Sequence, residues 1–226
     1  MEIYIKEPVT LHTANKYCKE DITIKVTGGS DGGSGGTDYM PYVKSITFSE
    51  AINEVTDDIY LDLPTATSLN GAFNFLNVSC NKITVKITNV FEVFNSAFRD
   101  NIDNLKEVEI LGDTSNCSDF SRMFYNCKAL ETFKGDLDFS GCTTFMNSFV
   151  NCNKLTTFKP KAGTIKTTIQ LNYSPLLSDE SIQAIIDGLA DLTETTAQTI
   201  TLTDTVKAKL TEEQIASITS KNWTLA

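Results

Sequence analysis

The chain holds one histidine, His12, and the nearest thiol to it in sequence is Cys18, so a cysteine–histidine nucleophile pair can be named. Such a pair needs a rigid pocket, and two short β-like runs ahead of a glycine-rich stretch do not supply one. The adjacent acids Asp57–Asp58 read as solvated turn charges. Glu212–Glu213 read as a helix start, where the helix dipole favours negative charge. Zinc needs four convergent ligands, usually from two CxxC-like pairs, and the sequence has no CxxC. GxGxxG, GxxxxGK[ST] and HExxH are absent too, and GGSDGGSGG resembles a phosphate loop only in its glycines. No catalytic residue, metal ligand or cofactor is expected.

The six cysteines are better explained by where they stand. Cys117 and Cys142 are 25 residues apart, and so are Cys127 and Cys152. The same interval separates Phe120, Phe124, Asn126 and Leu130 from Phe145, Phe149, Asn151 and Leu155. A period of this length marks a solenoid, in which each repeat buries its apolar face on the next. The thiols then read as small buried residues of repeat columns, since free cysteine packs as a small hydrophobe. Aligned on the aromatic, the columns are Phe73, Phe98, Phe124 and Phe149, with Leu69, Phe94, Phe120 and Phe145 upstream and Ile83, Leu105, Leu130 and Leu155 downstream. A strand follows in each, with Val85 and Ile87, Val108 and Ile110, Phe133, and Phe158 pointing inward.

The totals exclude several classes. A length of 226 residues with 41% hydrophobic content is enough for a sizeable core. The net charge of −10 argues against nucleic acid, whose phosphates demand an excess of Lys and Arg, and against an anionic membrane surface. No apolar run approaches the roughly 18 residues of a membrane span. The opening MEIYIKEPVTLHTANKY has neither a basic region nor an apolar stretch of an export signal, so synthesis in the cytoplasm is expected.

Three segments follow from composition. Residues 1–27 hold two β-like runs, Glu2 to Lys6 and Asp21 to Val26, too small to keep a core of their own and expected to pair with another chain or with copies of themselves. Residues 28–38, GGSDGGSGGTD, read as a flexible Gly/Ser linker. Residues 39–226 read as the solenoid, opening with a strand at Tyr42 to Phe48 and a turn or short helix to Ile59. Its 25-residue repeats run over about 60–160, with larger helix-containing coils over about 161–226. In the latter, Ser178 caps a helix to Leu189 whose Ile182, Ile185, Ile186 and Leu189 form one stripe. Thr211 and Gln214 form a capping box, with Leu210 and Ile215 as a staple, for a helix to Ser220 stopped by Asn222. The strand cores IQL, ITL and WTL extend one parallel sheet, completing an α/β solenoid.

The candidate ligand surface is the outer face of that sheet. Aligning the strands on Val85, Val108, Phe133 and Phe158 places Lys86, Glu109, Lys134 and Lys159 in one column and Thr84, Glu107, Thr132 and Thr157 beside it. Neighbouring strands lie about 4.8 Å apart, so opposite charges on successive strands support the stack. The same polar face can bind, as extended solenoid faces do. Tyr125 and Asn126, Asn147, Asn151 and Asn153 on the returns offer a second surface, though asparagine at corners first satisfies backbone groups.

The segments MFYNCKAL, Met123 to Leu130, and SFVNCNKL, Ser148 to Leu155, resemble the BspA-like leucine-rich repeats of bacterial surface proteins, in which an aromatic in the form MF or AF precedes a Cys and then a Leu. Ala72–Phe73 and Ala97–Phe98 give the AF form but lack the Cys three residues on. The resemblance covers roughly residues 60–160 and implies a leucine-rich-repeat solenoid for adhesion or recognition without catalysis. TVKAKLTEEQIASITSKNWTLA is similar to the ending of leucine-rich-repeat proteins carried by phages and prophages of Gram-positive bacteria, and VTLHTANKYCKEDITIKV to a segment of tail and baseplate proteins of such phages. Together they imply a virion accessory protein that docks on a structural protein of the particle through residues 1–27. The solenoid would then contact a host-surface protein or glycan. The alternative is an adhesin on the bacterial cell surface, which needs an export signal or wall anchor. On the free-thiol reading, all six cysteines react with a thiol reagent after denaturation without reductant; a Cys117–Cys142 disulfide would overturn it.

Overall fold

A computed structural model describes residues 2–5, 22–26, 59–63, 67–71, 81–88, 90–101 and 103–226. His12, Cys18, Phe73, the stretch 28–38 and the strand and turn expected over 42–58 lie outside them. The described residues contain two parallel sheets of short strands and three helices, joined by turns and irregular returns. The larger sheet holds β1 (Glu2–Ile5), β2 (Ile22–Val26), β3 (Ile59–Leu63), β4 (Lys82–Ile87), β5 (Glu107–Leu111), β6 (Thr132–Gly135) and β7 (Thr157–Phe158), in sequence order. All its pairs are parallel, and β2 pairs with β3 of the same chain.

The 25-residue interval becomes a physical register here. Ile83, Val108, Phe133 and Phe158 sit opposite one another on successive strands. A second, one-residue-wide ladder joins Ser68, Val93, Asp119 and Thr144. Between the two ladders the aromatic columns stack. Phe94, Phe120 and Phe145 follow at 5.6 Å between ring centroids, and Phe98, Phe124 and Phe149 at 5.5 and 5.8 Å. Phe139 fills the space beside them, edge-on to Phe120 and Phe145 at 5.0 Å. These rings, with the Leu105, Leu130 and Leu155 column, are buried.

Two sequence expectations need correction in the first repeat. Ile83 lies opposite Val108, outside the Leu105 column, and Val85 lies opposite Ile110. The strand alignment expected from Val85 is therefore displaced by two residues. Ile83, Val85 and Ile87 alternate inward, and a period of two looks the same after a shift of two.

After β7 the repeat changes character. Ser178 accepts from the Ser181 amide and caps α1 (Asp179–Gly188), whose Ile182, Ile185 and Ile186 are buried. This helix takes the place of the next strand: the Phe158 amide donates to Ser181 Oγ at 3.1 Å, and the Ser178 amide to the Thr156 carbonyl at 3.0 Å. An edge that would otherwise be open is covered. The strand cores β8 (Ile169–Leu171), β9 (Gln198–Leu202) and β10 (Trp223–Leu225) consequently form a separate three-stranded parallel sheet and do not extend the first. A short helix, α2 (Asp204–Lys207), precedes α3 (Glu212–Ser220), which carries the expected Thr211–Gln214 capping box. Asn222 ends it at φ 63°. Leu210 packs on the core, while Ile215, its expected staple partner, is exposed. Among the described residues no helix is long and apolar enough to cross a membrane.

Phe124 packs against rings on both sides of the stack, Phe98 at 5.5 Å and Phe149 at 5.8 Å between centroids, and against Phe133 at 4.8 Å. Phe124→Ala is expected to destabilise the protein by about 3 to 5 kcal/mol in denaturant unfolding, and a loss below about 1 kcal/mol would remove it from the core column.

Candidate recognition face

The outer face of the larger sheet is built by the alternate residues of β4 to β7, because inward and outward side chains alternate along a strand. The register sets the columns. Lys82, Glu107, Thr132 and Thr157 face one another on successive strands, and Thr84, Glu109 and Lys134 form the neighbouring column. Lys86 stands opposite Leu111 instead of Glu109, so the expected Lys86–Glu109 rung is replaced. The two-residue displacement of β4 puts Thr84 opposite Glu109 and Lys82 opposite Glu107, from where Lys82, a residue the alternation of charges did not single out, reaches both carboxylates.

Four side chains close into one network. Lys82 Nζ lies 2.9 Å from Glu107 Oε1 and 2.6 Å from Glu109 Oε2. Lys134 Nζ lies 2.8 Å from Glu107 Oε1 and 3.7 Å from Glu109 Oε1. Burial pushes Glu107 up, but hydrogen bonds and charge from Lys134 and Lys82 outweigh it and hold its carboxyl below the ordinary value. The bond to Glu109 raises Lys82 above its ordinary value, against the opposing pull of burial and with help from Glu107. Two cations and two anions cancel, so the middle of the face is polar and neutral. Both carboxylates are committed to ammonium groups, which suits them to holding adjacent strands together.

Accessibility grades the face. Thr84 is buried, Thr132, Lys134 and Thr157 are half-buried, and Lys159, just past β7, is exposed. The accessible part of the face is therefore its β6–β7 side, at Lys134, Thr157 and Lys159. On the returns, Arg99 lies over the Tyr125 ring at 5.2 Å. Asn151 donates to Asn126 at 3.1 Å, and Asn126 to Asp100 at 2.9 Å. These asparagines serve the stack first.

The described cysteines are free and buried. Cys127 Sγ donates to the Phe98 carbonyl at 3.0 Å, Cys152 Sγ to Phe124 at 3.2 Å and Cys117 Sγ to Phe91 at 3.0 Å. Burial pushes these thiols up, and Cys142 to about 12, so at neutral pH they stay protonated and are poor nucleophiles. Among the described residues no three His, Cys, Asp or Glu side chains could hold a metal ion together.

A second polar column escaped the sequence reading. Ser118 Oγ donates to the Glu92 carbonyl, Thr143 Oγ1 to Ser118 and Thr167 Oγ1 to Thr143, at 3.3, 2.9 and 3.2 Å. The signal was present as small hydroxyl residues at intervals of 25 and 24, with Ser118 and Thr143 each two residues before a ring of the Phe120–Phe145 column.

The lowered Glu107 value fixes the sign of an acid effect. The folded chain binds fewer protons than the unfolded one just below pH 4.5, the ordinary carboxyl value, so stability falls as pH drops through Glu107's folded value. Glu107→Gln is expected to flatten that decline by up to about 1 kcal/mol, given the partly exposed pairs. Denaturant midpoints measured from pH 7 downward check it, and an unchanged slope would show that the network is not coupled to folding.

Compared with known proteins, the chain matches no family model, no curated protein and no solved structure.

Proposed function

We propose that the chain is a leucine-rich-repeat solenoid acting as a non-enzymatic accessory protein of a phage or prophage virion, associated with tail or baseplate and using its sheet face to contact the host surface. The observation that carries this reading is the neutral, hydrogen-bonding face around Lys82, Glu107, Glu109 and Lys134, held on a stack of rings. Its charges are spent on one another. A large, regular polar surface without a concentrated reactive group suits recognition of an extended partner. Repeats in register every 25 or 26 residues over two parallel ladders support the solenoid. The resemblances of the two end segments to tail-associated and prophage-borne proteins support the virion, with residues 1–27 as the docking piece and the host surface met through a protein or glycan.

Mass spectrometry of purified phage particles is expected to find the chain, and the fluorescently labelled chain is expected to bind host cells. A Thr157→Ala, Lys159→Glu variant should label them about fivefold less, since both residues lie on the accessible side of the face. Absence from particles together with presence in the cell-wall fraction would replace the virion by a bacterial surface adhesin. Undiminished labelling by the variant would move the binding surface off the sheet.

A further inference from the structure

The second ladder stops at Thr144, and the chain returns to this side 25 residues later as β8, which pairs with β9. An open cleft of about 170 Å³ remains between the two, lined by Thr144, Phe145, Met146, Thr167, Thr168 and Gln170. We infer that this cleft binds a single neutral sugar ring of a glycan, at a site separate from the sheet face. The inference deepens the recognition role proposed above and rests on it.

The lining selects the ligand class. It contains no Asp, Glu, Lys or Arg, so nothing there compensates a charged ligand. Two of its hydroxyls already have partners for their hydrogens: Thr167 Oγ1 donates to the Thr143 carbonyl and Thr168 Oγ1 to Gln198 Oε1, while Thr168 Oγ1 and Thr144 Oγ1 also accept from the Thr199 and Met146 amides. Thr167 and Thr168 still offer acceptor lone pairs, and the ligand that fits brings hydroxyl donors of its own. Gln170, exposed on β8, adds an amide that donates and accepts. Phe145 is buried beneath, while Met146 is 51% exposed and gives a soft apolar wall for the C–H face of a ring. The volume is below the roughly 300–1,000 Å³ of sites for drug-sized molecules, which limits the occupant to about one ring. The column Ser118, Thr143 and Thr167 runs up to the cleft, so neighbouring sugar units have a line of acceptor oxygens to follow.

The test titrates the full isotope-labelled chain with glucose and N-acetylglucosamine, as monomers and as β-linked tetramers, and with glucuronate. Shifts confined to residues 144–146 and 167–170, saturating at about 1 to 10 mM, are expected for at least one neutral monomer. Its tetramer should bind more tightly and extend the shifts to Ser118 and Thr143, and glucuronate should bind less well. Met146→Ala and Gln170→Ala, both at exposed positions, should each weaken binding about fivefold with unchanged thermal unfolding. No saturation by about 50 mM with any neutral sugar, tighter binding of glucuronate, or unchanged affinity in both variants would overturn the inference. If the sugars fail while cells are still labelled through Thr157 and Lys159, only the cleft's role is lost. If the sugars bind while cells are unlabelled, the sheet face is lost instead.

Discussion

Each repeat must hand its backbone amides to the carbonyls of the next, and the rest of the chain follows from that requirement. Along the return, Ser96, Phe98 and Asp100 donate to Ser121, Met123 and Tyr125 at 2.8 to 2.9 Å. One repeat later Arg122, Phe124 and Asn126 donate to Met146, Ser148 and Val150. Buried amides cannot be left unpaired, so this part of the chain is as tightly tied to its neighbour as the strands are. Holding the irregular segment in that register needs left-handed residues at fixed points: Ser96, Arg122 and Asn147 in one column, Asp100, Asn126 and Asn151 in another. Asparagine and aspartate tolerate that conformation better than other side chains, and here their side chains also bond along the column. At the strand ends even they would not fit. A Cβ on Gly112 or Gly135, both at positive φ, would run into the carbonyl oxygen of Ile87 or Ile110 on the preceding strand.

The same requirement explains the chemistry of the interior. Carbonyls of Phe91, Phe98 and Phe124 are met by thiols of the following repeat, and the Phe120 carbonyl by Ser148 Oγ. Cysteine is small enough to lie between stacked rings and can still offer a weak donor. Its burial, which makes the thiol inert, is therefore a by-product of being spacer and hydrogen-bond donor at once. A stack of this kind could grow indefinitely, and its end needs a device. Ser178 and Ser181 serve: one caps α1 and both reach the last strand, so helix start and sheet edge are closed by the same turn.

Most of the repeated part was legible because burial repeats. The columns at Phe94, Phe120 and Phe145 and at Phe98, Phe124 and Phe149 announce themselves by residue type and interval, and α1 and α3 by their capping serine and threonine. Three features were not legible, for different reasons. The position of β4 within its alternating run is invisible to a period of two, and that ambiguity carried the candidate face with it, exchanging Lys86 for Lys82. The division into two sheets was hidden because IQL, ITL and WTL look like any other inward-facing strand cores. Only the arrival of α1 against the Phe158 amide shows that the first sheet has ended. The hydroxyl column from Ser118 to Thr167 was missed because Ser and Thr at a corner carry no hydrophobic signal.

Periodicity also limits where binding chemistry can lie. A residue repeated in every turn of the stack is occupied by the neighbouring repeats, as the Lys82, Glu107, Glu109 and Lys134 network is occupied by itself. Groups left over for a partner accumulate where the pattern breaks. Thr157 and Lys159 stand at the final strand of the first sheet, with α1 beyond them in place of another strand. Met146 and Gln170 face the gap left where the second ladder passes into β8. The first place follows from α1 standing where the next strand would pair with β7, and the second from the end of the second ladder at Thr144. Regular repeats thus keep their polar groups engaged with one another, and the interruptions leave the exposed, chemically varied positions on which the proposed recognition rests.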